Sequence, residues 1–333
     1  MNTKTFPYLL TINFNKKIYI YYMNAKPFLK WVGGKTQLLD DINKSLPENL
    51  DSINTYIEPF IGGGAVMFDI VPKMKNVEKV VINDLNSKLI NVYRNIKDNH
   101  ELLITKLIEF ETEYLNYNKK GKEEMFYLIR EKFNEHKKIY NDKDPVFYIN
   151  NAVYFIFLNK TCFNGLYREN AQGLFNTPWN KSMNPLICDI DNITAVSEFL
   201  NKYNVEILCG NYKEIEKYAD IGTFVYFDPP YRPISNTSAF TSYTKSKFND
   251  DDQKQLKMLC DRLNKKKCLI MLSNSDSMNS NPPDPFFDDL YREYYITKLF
   301  ARRNINSKGD KRNKITEILV TNYNTAEQID TVY

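Results

Sequence analysis

A glycine-rich turn between a predicted strand and a predicted helix constrains the fold of this chain more than any other feature. Thr55–Glu58 is typical of a strand, residues 59–64 (PFIGGG) form the turn, and Ala65–Ile70 is typical of a helix that ends before Pro72. A second strand is predicted at 77–82. Strand, turn, helix and strand in this order open a doubly wound nucleotide-binding sheet, so we expect an α/β, Rossmann-like fold.

The middle of the chain has a different pattern. Residues 102–138 are charged and predict helices, 146–158 are aromatic and apolar, and 159–185 are rich in residues typical of loops. We therefore predict a separate, mostly helical subdomain at 100–189, inserted into the α/β domain.

The α/β pattern returns after this insertion. A short helix is predicted at 211–218 and a longer one at 251–263, and strands are predicted at 205–209, 223–227, 268–272, 293–300 and 315–321, the last two pairing around a basic loop. The predicted organisation has an N-terminal extension (1–25), a catalytic domain (26–99 and 190–333) and the inserted subdomain.

Composition sets few limits on function. The 333 residues are 43% hydrophobic and 26% charged, as in ordinary globular proteins, and the net charge of +4 permits a nucleic-acid partner without requiring one. Five cysteines without a CxxC pair, and only two histidines, argue against a metal site or a disulfide framework. The cysteine pattern fits a reducing cytoplasm, and because no apolar run approaches the ~20 residues of a membrane span, we expect no membrane partner.

Asp228, Pro229, Pro230 and Tyr231 follow a predicted strand and combine a carboxylate, a stiff turn and an aromatic ring. The carboxylate and the Pro229 carbonyl can accept hydrogen bonds from the amino group of a planar base, on which Tyr231 can stack. Such a tripeptide alone is most often only a turn. With a nucleotide-binding unit upstream, it favours methyl transfer to an amino group, in which positioning and electrostatics supply most of the rate.

Asp84 follows the second predicted strand, 20 residues after Gly64. In nucleotide-binding α/β folds an acidic residue at this distance binds ribose hydroxyls. The turn is not a full G-x-G-x-x-G fingerprint, so the sequence favours a single adenosine cofactor over a dinucleotide. A tight turn with a capping aspartate explains the motif alone equally well.

Residues 30–36 (KWVGGKT) are only partly similar to a phosphate loop. That motif requires a glycine five positions before the Gly-Lys pair, where this chain has Leu29. An ATPase is therefore the weaker interpretation. We favour a clamp in which Lys35 binds an anion or carboxylate and Trp31 packs on the ligand, with a surface turn and a buried tryptophan as the alternative.

The motifs, taken in order, resemble those of the Dam-type DNA adenine-N6 methyltransferases. The similar stretches are residues 30–35, 58–64, 83–86 and 228–231, and the further stretches 164–168 and 238–244 resemble the branch from GATC restriction–modification systems. The resemblance extends from about residue 26 to residue 323. It implies a sheet that binds S-adenosylmethionine and an inserted subdomain that reads double-stranded DNA.

The resemblance also implies roles for individual residues. Those assigned to the cofactor are Trp31, Lys35, Glu58, Phe60, Gly62, Asp84, Asn211 and Asp228. Those assigned to catalysis, on a flipped adenine, are Asp228, Pro229 and Tyr231. Those assigned to DNA are Phe163, Asn164, Leu166 and Arg168.

Two of these assignments have alternatives. We select Arg168 as the guanine reader and Phe163 or Leu166 as the wedge in the base stack, although ordinary core packing would also explain the two apolar residues. The family often has Gly-Asp-Phe where this chain has Gly210-Asn211-Tyr212. The amide oxygen of Asn211 can still accept a hydrogen bond from the adenine amino group of the cofactor.

The predicted function is site-specific methylation of adenine N6, within GATC, by base flipping and direct in-line transfer. The alternatives are a DNA cytosine-N4 methyltransferase and a catalytically silent, methyltransferase-like protein that only binds DNA. A cognate restriction endonuclease would be a genetic rather than a physical partner. We expect the enzyme on nucleoid DNA in the cytoplasm.

Overall fold

The computed structural model describes residues 24–135, 144–232, 248–300 and 316–325. Most of the predicted N-terminal extension, the basic loop between the last two strands and the stretch 238–244 lie outside these ranges.

Within the described residues, seven strands form one sheet in the order β3-β2-β1-β4-β5-β7-β6. They are β1 (Thr55–Glu58), β2 (Lys79–Asp84), β3 (Glu206–Cys209), β4 (Thr223–Phe227), β5 (Leu269–Ser275), β6 (Tyr295–Phe300) and β7 (Thr316–Thr321). Strands β1 to β5 are parallel, and β7 runs antiparallel to β5 and β6. The predicted α/β fold and the pairing of the last two strands are confirmed.

Helices cover both faces of the sheet. They are α1 (Leu39–Lys44), α2 (Ala65–Ile70), α3 (Ser87–Asn116), α4 (Lys119–Glu135), α5 (Pro145–Thr161), α6 (Ile190–Lys202), α7 (Asp250–Lys265) and α8 (Phe286–Leu290). Side chains fix several helix starts: Asn86 accepts hydrogen bonds from the first amides of α3, and Asn249 forms a capping box with Asp252 at the start of α7. None of the described helices is long and apolar enough to cross a membrane.

Alternate residues of the central strands point to opposite faces of the sheet and build two hydrophobic clusters. Tyr56 and Tyr226 belong to the cluster that also contains buried residues of α2, α3, α5 and α6. Val225 and Phe227 belong to the cluster with α7. All five residues of β4 are buried, which explains its continuous apolar sequence.

The inserted helices pack directly on the sheet domain. Helix α3 runs through the predicted boundary at residue 100, with a kink at Asn99 (φ −139°, ψ 29°). Buried residues of its second half, such as Leu107, and of α4 and α5, such as Phe133 and Phe157, share one cluster with the first face of the sheet. The insertion therefore extends the core of the α/β domain and is not separated from it by a gap in packing.

Candidate functional site

The site lies where the order of the sheet reverses. From β1 the chain continues to β2 and β3 on one side, whereas β4 and β5 lie on the other side. In open parallel sheets, ligands bind beyond the carboxyl ends of the strands at this switch point. The glycine turn follows β1 and the Asp228 turn follows β4, so both lie at this position.

The glycine turn has a fixed backbone. Gly62 and Gly64 have positive φ angles of 46° and 73°, and Gly64 precedes the first residue of α2. Tyr93 Oη donates a hydrogen bond of 3.0 Å to the Gly62 carbonyl. A Cβ atom on Gly64 would lie 2.7 Å from the same hydroxyl, so a side chain does not fit there.

Asp84 ends β2 beside this turn. Its carboxylate accepts hydrogen bonds from the amides of Gly62 (3.2 Å) and Asn86 (2.8 Å). Burial raises the pKa of Asp84, and these backbone hydrogen bonds oppose the rise. A carboxylate is therefore held in one orientation at the strand end, as binding of a ribose diol requires.

The preceding residue, Asn83, joins two turns at the same edge. Its amide nitrogen donates to the carbonyls of Pro59 and Gly210, both at 3.1 Å. The turn after β1 and the turn after β3 are thereby held together. Asn211 lies next to Gly210, is exposed, and accepts a hydrogen bond from the Lys213 amide at 3.0 Å.

An aromatic cluster lies beside these turns. The ring of Phe60 is 5.2 Å from that of Tyr212 and 6.0 Å from that of Phe248 (centroid distances). Phe248 lies two residues before the start of α7, and no role was assigned to it from the sequence. Rings at the switch point of the sheet offer a flat apolar surface on which a base can stack.

The Asp228 turn is fixed by buried side chains of its neighbours. Gln253 of α7 donates to the Pro230 carbonyl at 3.2 Å. Asn274 of β5 accepts from the Arg232 amide at 3.3 Å, and Ser275 donates to the Arg232 carbonyl at 2.8 Å. The turn is therefore held at both its centre and its end, while Pro230 itself is exposed.

Lys35 contacts both Asp228 and Tyr231. The buried Lys35 Nζ lies 2.7 Å from each carboxylate oxygen of Asp228 and 4.7 Å from the centroid of the Tyr231 ring. Tyr231 donates its hydroxyl hydrogen to Glu317 of β7 at 2.5 Å. Burial raises the pKa of Asp228, and the cation of Lys35 opposes that rise.

A fully buried carboxyl group, that of Glu58, lies at the end of β1. Tyr56 donates a hydrogen bond to Glu58 Oε2 at 2.6 Å, and both side chains are buried. Burial raises the pKa of Glu58 to about 8; the Tyr56 hydrogen bond opposes this rise, and the negative charge of Asp228 adds to it. The raised pKa favours the protonated, neutral form of Glu58 at neutral pH.

Trp31 packs between the glycine turn and the inserted subdomain. Its ring stacks on that of Tyr167, with 5.8 Å between centroids and 21° between planes. A Cβ atom on Gly62 would lie 2.8 Å from Trp31 Cδ1. Lys35, four residues later, lies on a short 3-10 helix and binds both Asp228 and the Gly33 carbonyl (2.7 Å). The segment therefore contacts both turns of the site.

The four residues assigned to DNA lie on one loop after α5. Phe163 is 53% exposed, so core packing does not explain it, whereas Leu166 and Arg168 are partly buried. Asn164 is exposed and has a left-handed backbone (φ 56°). Arg168 Nε donates to Asn176 Oδ1 at 2.7 Å, which orients the guanidinium group.

The structure thus brings together most of the residues assigned to the cofactor and to catalysis. Asn211 lies at the same edge, whereas the loop with Phe163 reaches the site through Trp31 and Tyr167. A doubly wound sheet with this site at its switch point defines an α/β enzyme that binds a nucleotide-type cofactor.

The chain belongs to the D12 class of N6 adenine-specific DNA methyltransferases, whose family model matches residues 31–305. Membership implies a DNA substrate and a methyl donor of the S-adenosylmethionine type. The chain is 45% identical over 304 residues to the type II methyltransferase M.MjaIII of Methanocaldococcus jannaschii, covering 90% of this chain and 100% of that protein. Over 301 residues it is 41% identical to the type II methyltransferase M1.LlaDCHI of Lactococcus lactis subsp. cremoris, covering 90% and 96%. Over 298 residues it is 31% identical to the DNA adenine methylase of Escherichia coli strain K12, covering 88% and 94%.

Proposed function

We propose that this protein transfers a methyl group from S-adenosylmethionine to adenine N6 in double-stranded DNA, within GATC. The observation that carries the proposal is the contact of Asp228 and Tyr231 with Lys35 at the end of β4, directly beside the glycine turn of β1. A carboxylate for an amino group and a ring for its base thus adjoin a nucleotide-type site.

The residues at the switch point fit S-adenosylmethionine. Asp84 presents a fixed carboxylate for ribose hydroxyls, and Phe60 offers a ring for the adenine of the cofactor. Lys35 supplies a cation suited to the carboxylate of the methionine part. The exposed Asn211 lies on the turn that Asn83 ties to the glycine turn, where its amide oxygen can accept from an adenine amino group.

The catalytic turn would act on the amino group through hydrogen bonds. Bound S-adenosylmethionine supplies an electrophilic methyl group whose leaving group is a neutral thioether. Asp228 and the Pro229 carbonyl would accept hydrogen bonds from adenine N6 and make its lone pair available for in-line attack. N6 then loses one proton, for which the Asp228 carboxylate is placed as acceptor. Tyr231, held by Glu317, would stack on the base.

We assign DNA reading to residues 100–189 and the catalytic domain to residues 26–99 and 190–333. The exposed Phe163 is suited to wedge into the base stack as the adenine flips out. Arg168 presents a guanidinium group oriented by Asn176, as a bidentate contact with guanine requires. GATC as the target rests on the resemblance of residues 164–168 and 238–244.

Transfer of radiolabelled methyl groups to short duplexes tests the proposal. One duplex contains GATC, and each of the others has one base pair of that site changed. We expect incorporation only into the first duplex, and N6-methyladenine as the product in mass spectrometry. N4-methylcytosine would instead indicate the alternative enzyme, and tight DNA binding without any transfer would indicate a silent relative.

Two consequences concern the cell. A restriction endonuclease that cuts the same site would be linked to this protein genetically, through shared specificity, and not by a physical complex. Since the substrate would be genomic DNA, we also propose that the enzyme acts in the cytoplasm, on the nucleoid.

A further inference from the structure

Asn159, in the last turn of α5, joins two segments that are distant in sequence. It is 3% exposed and uses its whole amide group. Its oxygen accepts from the Lys30 amide at 3.0 Å, while its nitrogen donates to the Lys30 carbonyl at 2.8 Å and to the Gly165 carbonyl at 2.9 Å. One buried side chain thus binds the segment before Lys35 and the loop of Phe163 at the same time.

The two segments are also in direct contact. Gly165 has a φ angle of 65°, and a Cβ atom on it would lie 2.4 Å from Lys30 Cβ. Beside this contact, the ring of Trp31, one residue after Lys30, stacks on that of Tyr167, two residues after Gly165. A close backbone contact and a ring stack leave little room for one segment to move without the other.

The far ends of these segments lie in different parts of the proposed site. In one direction, Lys35 contacts the carboxylate of Asp228. In the other, the loop carries the exposed Phe163 and Arg168, which we assign to DNA. A shift of the loop on DNA would therefore be transmitted through Lys30 to the residues that hold the methyl donor and the catalytic carboxylate.

We propose that Asn159 is a positioning residue that couples methyl-donor binding to recognition of the DNA site. The inference rests on the proposed function, because it assumes that the segment of Lys35 holds the donor and the loop of Phe163 reads DNA. Coupling between two ligands is reciprocal, so the cognate duplex tightens donor binding by the same factor by which the donor tightens duplex binding.

The test compares Asn159→Ala with Asn151→Ala. Asn151 is a matched control because it lies on the same helix and is 2% exposed, yet its amide nitrogen donates to the Phe147 carbonyl of its own helix (2.9 Å). The probe is S-adenosylhomocysteine, which cannot transfer a methyl group. Its Kd is measured by calorimetry without DNA, with a GATC duplex, and with a duplex of the same composition that lacks GATC.

In the parent protein and in Asn151→Ala, we expect the GATC duplex to lower the Kd by about fivefold or more relative to the other duplex. In Asn159→Ala the ratio of the two Kd values should approach one. A purely structural role would weaken all three Kd values together and leave the ratio unchanged. An unchanged ratio in Asn159→Ala, or a ratio of one in the parent, would overturn the inference.

Gly165→Ala is a second variant for the case that Asn159→Ala does not fold, which circular dichroism reports. It perturbs the same joint from the other side, because its Cβ collides with Lys30. It should also bring the ratio of the Kd values with the two duplexes close to one. A folded Gly165→Ala variant that keeps the ratio of the parent would contradict the coupling. Methyl transfer by the parent protein is measured in parallel. Its absence from every duplex would refute the proposed function, whereas transfer with an unaffected ratio would refute only the role of Asn159.

Discussion

Glu58→Gln tests whether a neutral carboxylic acid is buried beside the Asp228 turn. Glu58 is 3% exposed and accepts the Tyr56 hydroxyl at 2.6 Å. Glutamine has nearly the same shape, and its amide oxygen can accept the same hydrogen bond. The substitution therefore removes the titration of this group while preserving its packing.

The expected effect follows from the pKa of Glu58, which burial raises from 4.5 to about 8. A raised pKa of an acid in the folded state favours folding at low pH, and this contribution is lost as the pH rises from the unfolded value towards the folded value. Between these two pKa values, only the folded state keeps the proton. There the unfolding free energy falls by about 1.4 kcal/mol for each unit by which the pH rises. Between about pH 5 and about pH 7, the parent should lose about 2 to 3 kcal/mol through Glu58.

Urea unfolding at several pH values, followed by the fluorescence of Trp31 and Trp179, measures this loss. Other carboxyl groups contribute equally to both proteins, so the difference between Glu58→Gln and the parent isolates Glu58. The unfolding free energy of Glu58→Gln relative to that of the parent should therefore rise by about 2 to 3 kcal/mol between about pH 5 and about pH 7. Glu216→Gln is the control: a hydrogen bond from Arg262 lowers the pKa of Glu216, so its contribution stays nearly constant over this range. If the difference in unfolding free energy between Glu58→Gln and the parent were also constant between about pH 5 and about pH 7, the reasoning would be refuted.

Three further predictions concern the turns and the loop. Asp228→Ala should reduce methyl transfer by about 100-fold or more while weakening donor binding only slightly, because we propose that the carboxylate acts mainly on the amino group. Single-turnover assays and calorimetry measure the two effects, and retained turnover would contradict that role. Arg168→Ala should reduce discrimination at one guanine by about 1 to 3 kcal/mol, seen as altered relative kcat/KM values on duplexes changed at that base, and equal discrimination would exclude Arg168 as the reader. Gly64→Ala should lower the unfolding free energy by about 1 to 3 kcal/mol more than Gly33→Ala. Both glycines have a left-handed φ, but a Cβ atom added at Gly64 would lie 2.7 Å from Tyr93 Oη, whereas one added at Gly33 would meet no atom within 4 Å. Equal losses in urea unfolding would show that the hydroxyl moves freely.

The strands beside turns were predictable from sequence, because glycine and proline mark where they end. The predictions for β1 and β4 match the structure at every residue. The prediction of 77–82 for β2 was wrong by two residues. Pairing with neighbours sets its limits: β2 begins at Lys79, opposite Thr55 of β1, and extends to Asp84, opposite Cys209 of β3. A strand read alone carries no information about these partners.

Helices were predicted less evenly, because their ends depend on packing as well as on capping. The short helix predicted at 211–218 is a 3-10 helix, Tyr212–Tyr218. The charged stretch after residue 102 is divided between α3 and α4, and the aromatic stretch 146–158 is the buried helix α5. Its periodicity was not visible because α5 is apolar on nearly all sides.

The site was predictable where residues are consecutive and was missed where partners are remote. The turn at Asp228 is visible in sequence, but its contact with Lys35 joins residues 193 positions apart. Glu317 meets Tyr231 across 86 positions, and Asn159 meets Lys30 across 129. Neither Glu317 nor Asn159 stands in a recognisable motif, so only the fold reveals their contacts with Tyr231 and Lys30.

The charge of Glu58 at the switch point depends on that of Asp228. Lys35 is the cation paired with Asp228, and Asp228 raises the pKa of Glu58. Two ionised carboxylates beside one cation would leave a buried negative charge, which is costly in a low-dielectric site. With Glu58 neutral, the charges of Lys35 and Asp228 balance. We infer that a neutral Glu58 leaves Lys35 paired with Asp228 alone, the carboxylate that we propose accepts hydrogen bonds from the amino group.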